Sequence, residues 1–167
     1  MPKRTWSVVI VSHCLLNTNS RAYGLVVSEL SNLQLSLLMS HLLRKGYGIF
    51  QLPCPEASFI GFRREPLTKT EYEELGLRIH AEKLASEVLE HINLMIDSGI
   101  KIIALIGVAG SPSCGIYTTH IRSRSVRELG KGIFMEELLK GLPENVKLLE
   151  WDFRTPVKSL LNIIEKL

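Results

Sequence analysis

The chain has 167 residues, a mass of 18.8 kDa and a formal net charge of +3. Its 46% hydrophobic and 22% charged residues are ordinary for a globular protein, which excludes a largely disordered chain. No apolar run approaches the roughly 18 residues of a membrane span, so we expect no membrane insertion. No dense Lys/Arg block is present, so a nucleic-acid partner is not expected. We therefore predict a single domain over residues 1–167.

Two features predict where the protein resides. The basic start at residues 1–4 precedes an apolar run at residues 6–11, but that run is too short for a secretion signal and no small-residue cleavage site follows it. Three cysteines are an odd number, which argues against a secreted disulfide framework. We expect a cytoplasmic protein.

Strand and helix patterns alternate along the chain. Residues 6–12, 48–52, 101–108 and 146–151 are short apolar runs typical of buried strands. Helical spacing predicts helices over residues 30–44, 70–98, 132–139 and 156–167, and Thr70 with Glu73 resembles a capping box at the start of the second helix. Residues 57–69 are predicted to be a long loop, and residues 116–130 to be basic and irregular.

These patterns predict an α/β fold. The strands are continuously apolar, which is typical of strands that are buried on both faces of a sheet. Right-handed crossovers then favour a three-layer sandwich with a mostly parallel, doubly wound central sheet. In such folds the active site lies at the carboxyl ends of the strands.

All three cysteines follow predicted strands. Cys14, Cys54 and Cys114 lie in the loops after the first, second and third strands, so a parallel sheet would bring them to the same edge. Several readings stay open. The thiols could be unrelated, could hold an iron–sulfur cluster or a soft metal with one position open, or could bind zinc in a closed, non-catalytic site with His13. A fourth reading is a metal-free thiol nucleophile.

The motifs around these cysteines resemble the 2-thiouracil desulfurase family. The resemblance covers roughly residues 6–140 and rests on S-x-C-L-L at 12–16, C-P-E at 54–56, G-F-R-R-E-P at 61–66, S-P-S-C-G at 111–115 and G-K-G-I-F-M-E-E-L at 130–138. His13, Asn17 and the absence of an aspartate between Arg21 and Gly24 depart from the usual pattern. They indicate a diverged subgroup of the family.

The resemblance implies a compact α/β fold and an oxygen-sensitive 4Fe–4S cluster held by Cys14, Cys54 and Cys114. It also implies that the iron without a protein ligand takes the sulfur of a thiolated pyrimidine or similar small thione, giving the oxo compound and sulfide. The expected partner is therefore a small thiolated substrate.

We assign candidate roles to the residues around the cysteines. Glu56, fixed two residues beyond Cys54 by Pro55, is the candidate acid–base group, although a solvated loop carboxylate or a helix cap is the alternative. Ser111 and Ser113 flank Pro112 and are candidates for orienting water or hydrogen-bonding the cluster, although turn chemistry explains them equally well.

Three basic residues are candidates for binding substrate. Arg63 and Arg64 could steer an anionic group, although such a pair is often a solvated loop edge. His13 could contact substrate, but a hydrogen-bonded loop residue is the reading we favour. The basic segment at residues 120–127 could meet a phosphate or be an exposed loop.

Overall fold

The computed structural model describes residues 4–25 and 27–167, so the basic start at residues 1–3 lies outside it. The strands are β1 (Ser7–Val11), β2 (Gly48–Gln51), β3 (Lys101–Val108), β4 (Thr118–Thr119), β5 (Glu128–Leu129) and β6 (Lys147–Trp151). The helices are α1 (Glu29–Arg44), α2 (Pro55–Ile60), α3 (Lys69–Glu74), α4 (Leu77–Asp97), α5 (Ile133–Leu138) and α6 (Lys158–Ile164).

Four of these strands form one parallel sheet in the order β2-β1-β3-β6. Hydrophobic side chains alternate between its two faces, and both faces are covered by helices. On one face Val9, Val11 and Ile106 pack against α1 and α6. On the other face Ile10 and Leu105 pack against α4 and α5. The predicted three-layer α/β sandwich with a doubly wound parallel sheet is confirmed.

The strand order places a crevice at one edge of the sheet. From β1 the chain crosses to β2 on one side, and from β2 it returns through α4 to β3 on the other side of β1. The connections therefore diverge between β1 and β3, and ligands in open α/β sheets bind outside the carboxyl ends of the strands at such a point. Among the described residues, no helix is long and apolar enough to cross a membrane.

The structure corrects the predicted loop at residues 57–69. The first part of this segment is helical, because α2 begins at Pro55 and runs to Ile60. Proline at the first position of a helix loses no hydrogen bond, since that N–H has no partner within the helix, and its fixed φ suits helical geometry. Pro55 therefore starts a helix.

The structure also moves the predicted capping box and divides the helix that follows it. Thr68 and Glu71 form the box, two residues before the predicted pair of Thr70 and Glu73. The helix is interrupted at Gly76, whose left-handed backbone (φ 89°) separates α3 from α4. Glycine adopts this conformation without the steric cost that a Cβ would add.

Two smaller differences concern α1 and the basic segment. The buried stripe of α1 is formed by Leu35, Leu38 and Leu42, whereas Leu33 and Leu37 are exposed. The segment predicted to be irregular contains the two-residue antiparallel pair of β4 and β5.

Candidate active site

Cys14, Cys54 and Cys114 line one cavity of about 700 Å³ at the carboxyl ends of β1, β2 and β3. All three thiols are free, and Cys114 is buried while the other two are partly exposed. The cysteines are 40 and 60 residues apart in the chain, so the parallel sheet alone brings them to one cavity. The candidate residues His13, Glu56, Arg64, Ser111 and Ser113 line the same cavity.

Local structure fixes the position of each thiol. Cys14 lies in a short 3₁₀ helix, His13–Leu15, directly after β1. Cys54 is the N-cap of α2, and its Sγ accepts a hydrogen bond from the backbone N–H of Ala57 at 3.4 Å. The Cys114 N–H donates to Ser111 Oγ at 2.9 Å. Ser111 therefore holds the turn that carries Cys114, which is the turn role we kept open for it.

Backbone hydrogen bonds from the start of α5 hold the loop that carries Cys114. The backbone N–H groups of Gly132, Ile133 and Met135 donate to the carbonyls of Gly115, Pro112 and Ser113 at 2.8, 2.9 and 3.1 Å. A Cβ at Gly132 would lie 2.3 Å from the carbonyl carbon of Ser113 and 2.7 Å from the nitrogen of Cys114. Only glycine allows this close approach of two backbone segments.

We expect Gly132→Ala to lower the free energy of unfolding by about 1–3 kcal/mol, the usual cost of overpacking, because rigid backbone must move to admit the methyl group. The variant should also retain less metal, since the displaced backbone carries Cys114. Gly99→Ala is the control: its φ of +85° strains an alanine, but nothing lies within 4 Å of the added Cβ. Chemical denaturation and metal content measure the two effects. Equal metal retention in both variants would contradict the expectation.

Burial and neighbouring negative charges raise the pKa values of the three thiols. Burial raises the pKa of Cys14 to about 12, where the charge of Cys54 adds to the effect and that of Arg21 opposes it. Burial and the charge of Glu56 raise the pKa of Cys54. Burial and the charges of Cys54 and Cys14 raise the pKa of Cys114 well above its usual value. Burial and these charges therefore disfavour the thiolate forms, and a bound cation would favour them.

Glu56 is buried and fully hydrogen-bonded. Its Oε2 accepts bonds from Arg64 Nε at 3.1 Å, Arg64 Nη2 at 3.0 Å and the hydroxyl of Tyr72 at 3.0 Å. Its Oε1 accepts a bond from Ser113 Oγ at 2.6 Å, and the same Oγ lies 3.7 Å from Cys114 Sγ. Ser113 thus joins the carboxylate to a cavity thiol.

Arg64 is buried, in contrast to the solvated loop edge considered in the sequence analysis. Besides binding Glu56, its Nη2 lies 3.8 Å from Cys54 Sγ. Arg63 is exposed and does not line the cavity.

The ring of His13 makes two local contacts. Its Nδ1 lies 3.2 Å from the carbonyl of Leu52 and its Nε2 lies 3.4 Å from Asn17 Nδ2. The carbonyl can only accept, so Nδ1 carries the proton and Nε2 accepts from the amide. These contacts occupy both ring nitrogens and agree with a hydrogen-bonded loop residue.

Other parts of the site gave no clear signal in the sequence. Tyr72 lies on α3, 16 residues beyond Glu56, and its role requires the packing of α3 against α2. The cavity wall also includes Arg21, Asp152 and Phe153, the last two from the loop after β6. Of the basic segment, His120, Arg124 and Arg127 line the cavity, so part of that segment does face the site.

The donor set is not arranged around one point. In the part of the chain that the structure describes, no group of three His, Cys, Asp or Glu side chains is placed to hold a single metal ion. A zinc ion bound by thiolates at about 2.3 Å would require sulfurs within about 4.6 Å of one another. The three cysteines instead line a cavity of about 700 Å³.

Comparisons with known proteins identify the family of the chain and support its fold. A family model described as "Putative 2-thiouracil desulfurase" matches residues 6–127. The "Uncharacterized protein MJ0003" of Methanocaldococcus jannaschii is 32% identical over 166 residues, which cover 95% of this chain and 97% of that protein. The solved structure of a 4Fe-4S-dependent thiouracil desulfidase, TudS, is similar in fold, with a TM-score of 0.58 and 19% identity over 96% of this chain and 99% of that one. The chain therefore belongs to the "Putative 2-thiouracil desulfurase" family and is an enzyme of that family.

Proposed function

We propose that the protein removes sulfur from a thiolated pyrimidine or a similar small thione, converting C=S to C=O and releasing sulfide. The observation that carries this proposal is the convergence of Cys14, Cys54 and Cys114 on one cavity large enough for a small heterocycle beside a metal cluster. The match to the desulfurase family and the likeness to TudS support the substrate class.

We also propose that these three cysteines hold a 4Fe–4S cluster. Three thiolates are suitable ligands for such a cluster and leave one iron without a protein ligand. The raised thiol pKa values fit this assignment, because bound iron would supply the positive charge that the buried thiolates lack. When bound, the cluster would supply a soft Lewis acid for the sulfur of the substrate.

The protein's own groups would bind substrate and move protons. Glu56 lies in the cavity wall, and Ser113 Oγ donates to its Oε1, so a proton taken from water by the serine oxygen can pass to the carboxylate. Arg64 and Tyr72 hold the carboxylate in place through Oε2. His13 and Arg64 remain candidates for contacting substrate at the cavity wall, whereas Arg63 would act only from the exposed surface.

Metal analysis separates this proposal from a closed zinc site. We expect protein purified and reconstituted without oxygen to be brown and to contain about four iron and four acid-labile sulfide per chain. Air should remove the visible absorption, and thiouracil desulfurisation should be lost with it. A colourless protein that binds one zinc ion and no sulfide under the same conditions would contradict the proposal.

A further inference from the structure

Arg21 differs from the other arginines that line the cavity because its guanidinium has no polar partner in the part of the chain that the structure describes. Among residues 4–25 and 27–167, no carboxylate lies within salt-bridge distance of Arg21 and no acceptor takes a hydrogen bond from its side chain. An arginine carries five N–H donors in a fixed planar fork. A partly buried guanidinium without acceptors is therefore an available binding group.

Each of the other cavity arginines contacts a carboxylate. Arg64 pairs with Glu56, Arg124 with Glu71, and both Arg127 and Arg154 with Asp152. Asp152 carries one charge for two arginines, so one positive charge is left over at that group. Arg21 is the cavity arginine that has no carboxylate at salt-bridge distance among the described residues.

Packing fixes Arg21 in the cavity. Its guanidinium carbon lies 3.9 Å from the ring centroid of Phe153, the geometry of a cation–π contact. Burial lowers the pKa of Arg21, and the charges of Cys14, Asp152 and Glu56 oppose that shift. Arginine nevertheless stays protonated at all relevant pH values. The protonated guanidinium therefore lies in the wall of the cavity that Cys14 and Glu56 also line.

The proposed reaction creates negative charge in this space. The water oxygen forms a bond to the ring carbon while the π electrons of C=S move onto sulfur, and the C–S bond then breaks. Sulfur leaves with one proton of water as hydrosulfide and the second proton is released, so atoms and charge balance without a redox partner. A fixed cation that is unpaired in the resting enzyme stabilises such charge without having to break an existing ion pair.

We infer that Arg21 is a catalytic residue whose guanidinium binds the negative charge that develops on the thione group during replacement of sulfur by oxygen. This inference rests on the proposed desulfurase function. A neutral substrate carries no full charge before water attacks the ring carbon. The guanidinium of Arg21 is therefore expected to act on the reacting state rather than on the bound substrate.

Kinetics of the cluster-loaded enzyme with 2-thiouracil and 4-thiouracil test the inference. We expect Arg21→Gln to lower kcat by about 10²–10³-fold, the usual cost of removing one such donor, with KM changed less than about threefold. Arg21→Lys should recover part of kcat, because it keeps the charge but loses the planar stack on Phe153. Added guanidinium at low millimolar concentration should partly restore an Arg21→Ala variant.

Two further readouts exclude a structural role. Iron and sulfide content should equal that of the wild type, and binding of uracil, which lacks the reacting sulfur, should be unchanged by calorimetry. Arg122→Gln is the matched control, since Arg122 is exposed, pairs with Glu128 and does not line the cavity. It should behave like the wild type in all assays.

These experiments distinguish a failure of the role of Arg21 from a failure of the proposed function. Wild-type kcat in Arg21→Gln, or a loss of cluster or of uracil binding that accounts for the whole defect, would overturn the role of Arg21 while leaving the proposed function intact. A wild-type enzyme with a full cluster that desulfurises neither thiouracil would overturn the proposed function and this inference with it.

Discussion

Replacing Cys14, Cys54 or Cys114 individually with serine is expected to abolish both cluster binding and desulfurisation. Changes outside the ligand shell of a metal typically cost about 10–100-fold in affinity, and loss of a ligand should cost more. We therefore expect each variant, reconstituted without oxygen, to retain under about 10% of the wild-type iron and no measurable turnover. Iron and sulfide analysis with visible absorption measures the first effect, and thiouracil turnover the second.

The effects of replacing each of the three cysteines in turn distinguish a cluster with three ligands from a metal-free thiol nucleophile. A metal-free thiol nucleophile needs one cysteine, so two of the three variants would keep their activity under that hypothesis. Ser58→Ala is a suitable control, because Ser58 lies on α2 and hydrogen-bonds the carbonyl of Cys54 but does not line the cavity. It should keep its full metal content. An active, iron-loaded protein with any one cysteine replaced would contradict the three-ligand site.

Breaking the buried ion pair of Glu56 and Arg64 should have the largest effect on stability. The two side chains are only 10% and 4% exposed, so removing one partner leaves the other charged and buried. Such changes typically cost about 3–5 kcal/mol. We expect Arg64→Met and Glu56→Gln each to lower the free energy of unfolding by that amount, measured by denaturant titration of the metal-free proteins.

The double variant Glu56→Gln with Arg64→Met separates folding from catalysis. With no charge left unpaired, most of the stability should return, because replacing a buried pair as a unit is often nearly neutral. Turnover should stay low, since the carboxylate that we propose as the proton acceptor is absent. The exposed pair of Arg122 and Glu128 serves as the control, and Glu128→Gln should cost under about 1 kcal/mol. Recovery of full activity in the double variant would remove Glu56 from the mechanism.

The sequence predicted the features that depend on order along the chain. Short apolar runs predicted the strand positions and the parallel sheet. The residues that directly follow those runs predicted that the three cysteines lie at the carboxyl edge of the sheet. Helix starts were less predictable, because Thr68 and Thr70 both fit the capping pattern and Pro55 fits both the end of a strand and the start of a helix.

The side-chain network of the site could not be predicted from spacing. Glu56 meets Arg64, Tyr72 and Ser113, which lie 8, 16 and 57 residues further along the chain. Their meeting depends on how α2, α3 and the Cys114 loop pack together, and no local pattern encodes that packing. The sequence also could not predict that Arg21 has no carboxylate partner among the described residues. That depends on which arginines lie beside carboxylates in the folded protein.

The loop after β6 is a part of the cavity wall, away from the cysteine motifs, in which members of the family can change their ligand preference. Asp152, Phe153 and Arg154 form part of the cavity wall, yet they lie beyond residue 127, where the match to the family model ends. Surface loops accept substitutions and length changes more readily than the strands that carry them. Relatives with the same three cysteines are therefore free to evolve different substrate ranges, and the shared cysteine motifs should predict the chemistry of a family member better than the molecule on which it acts.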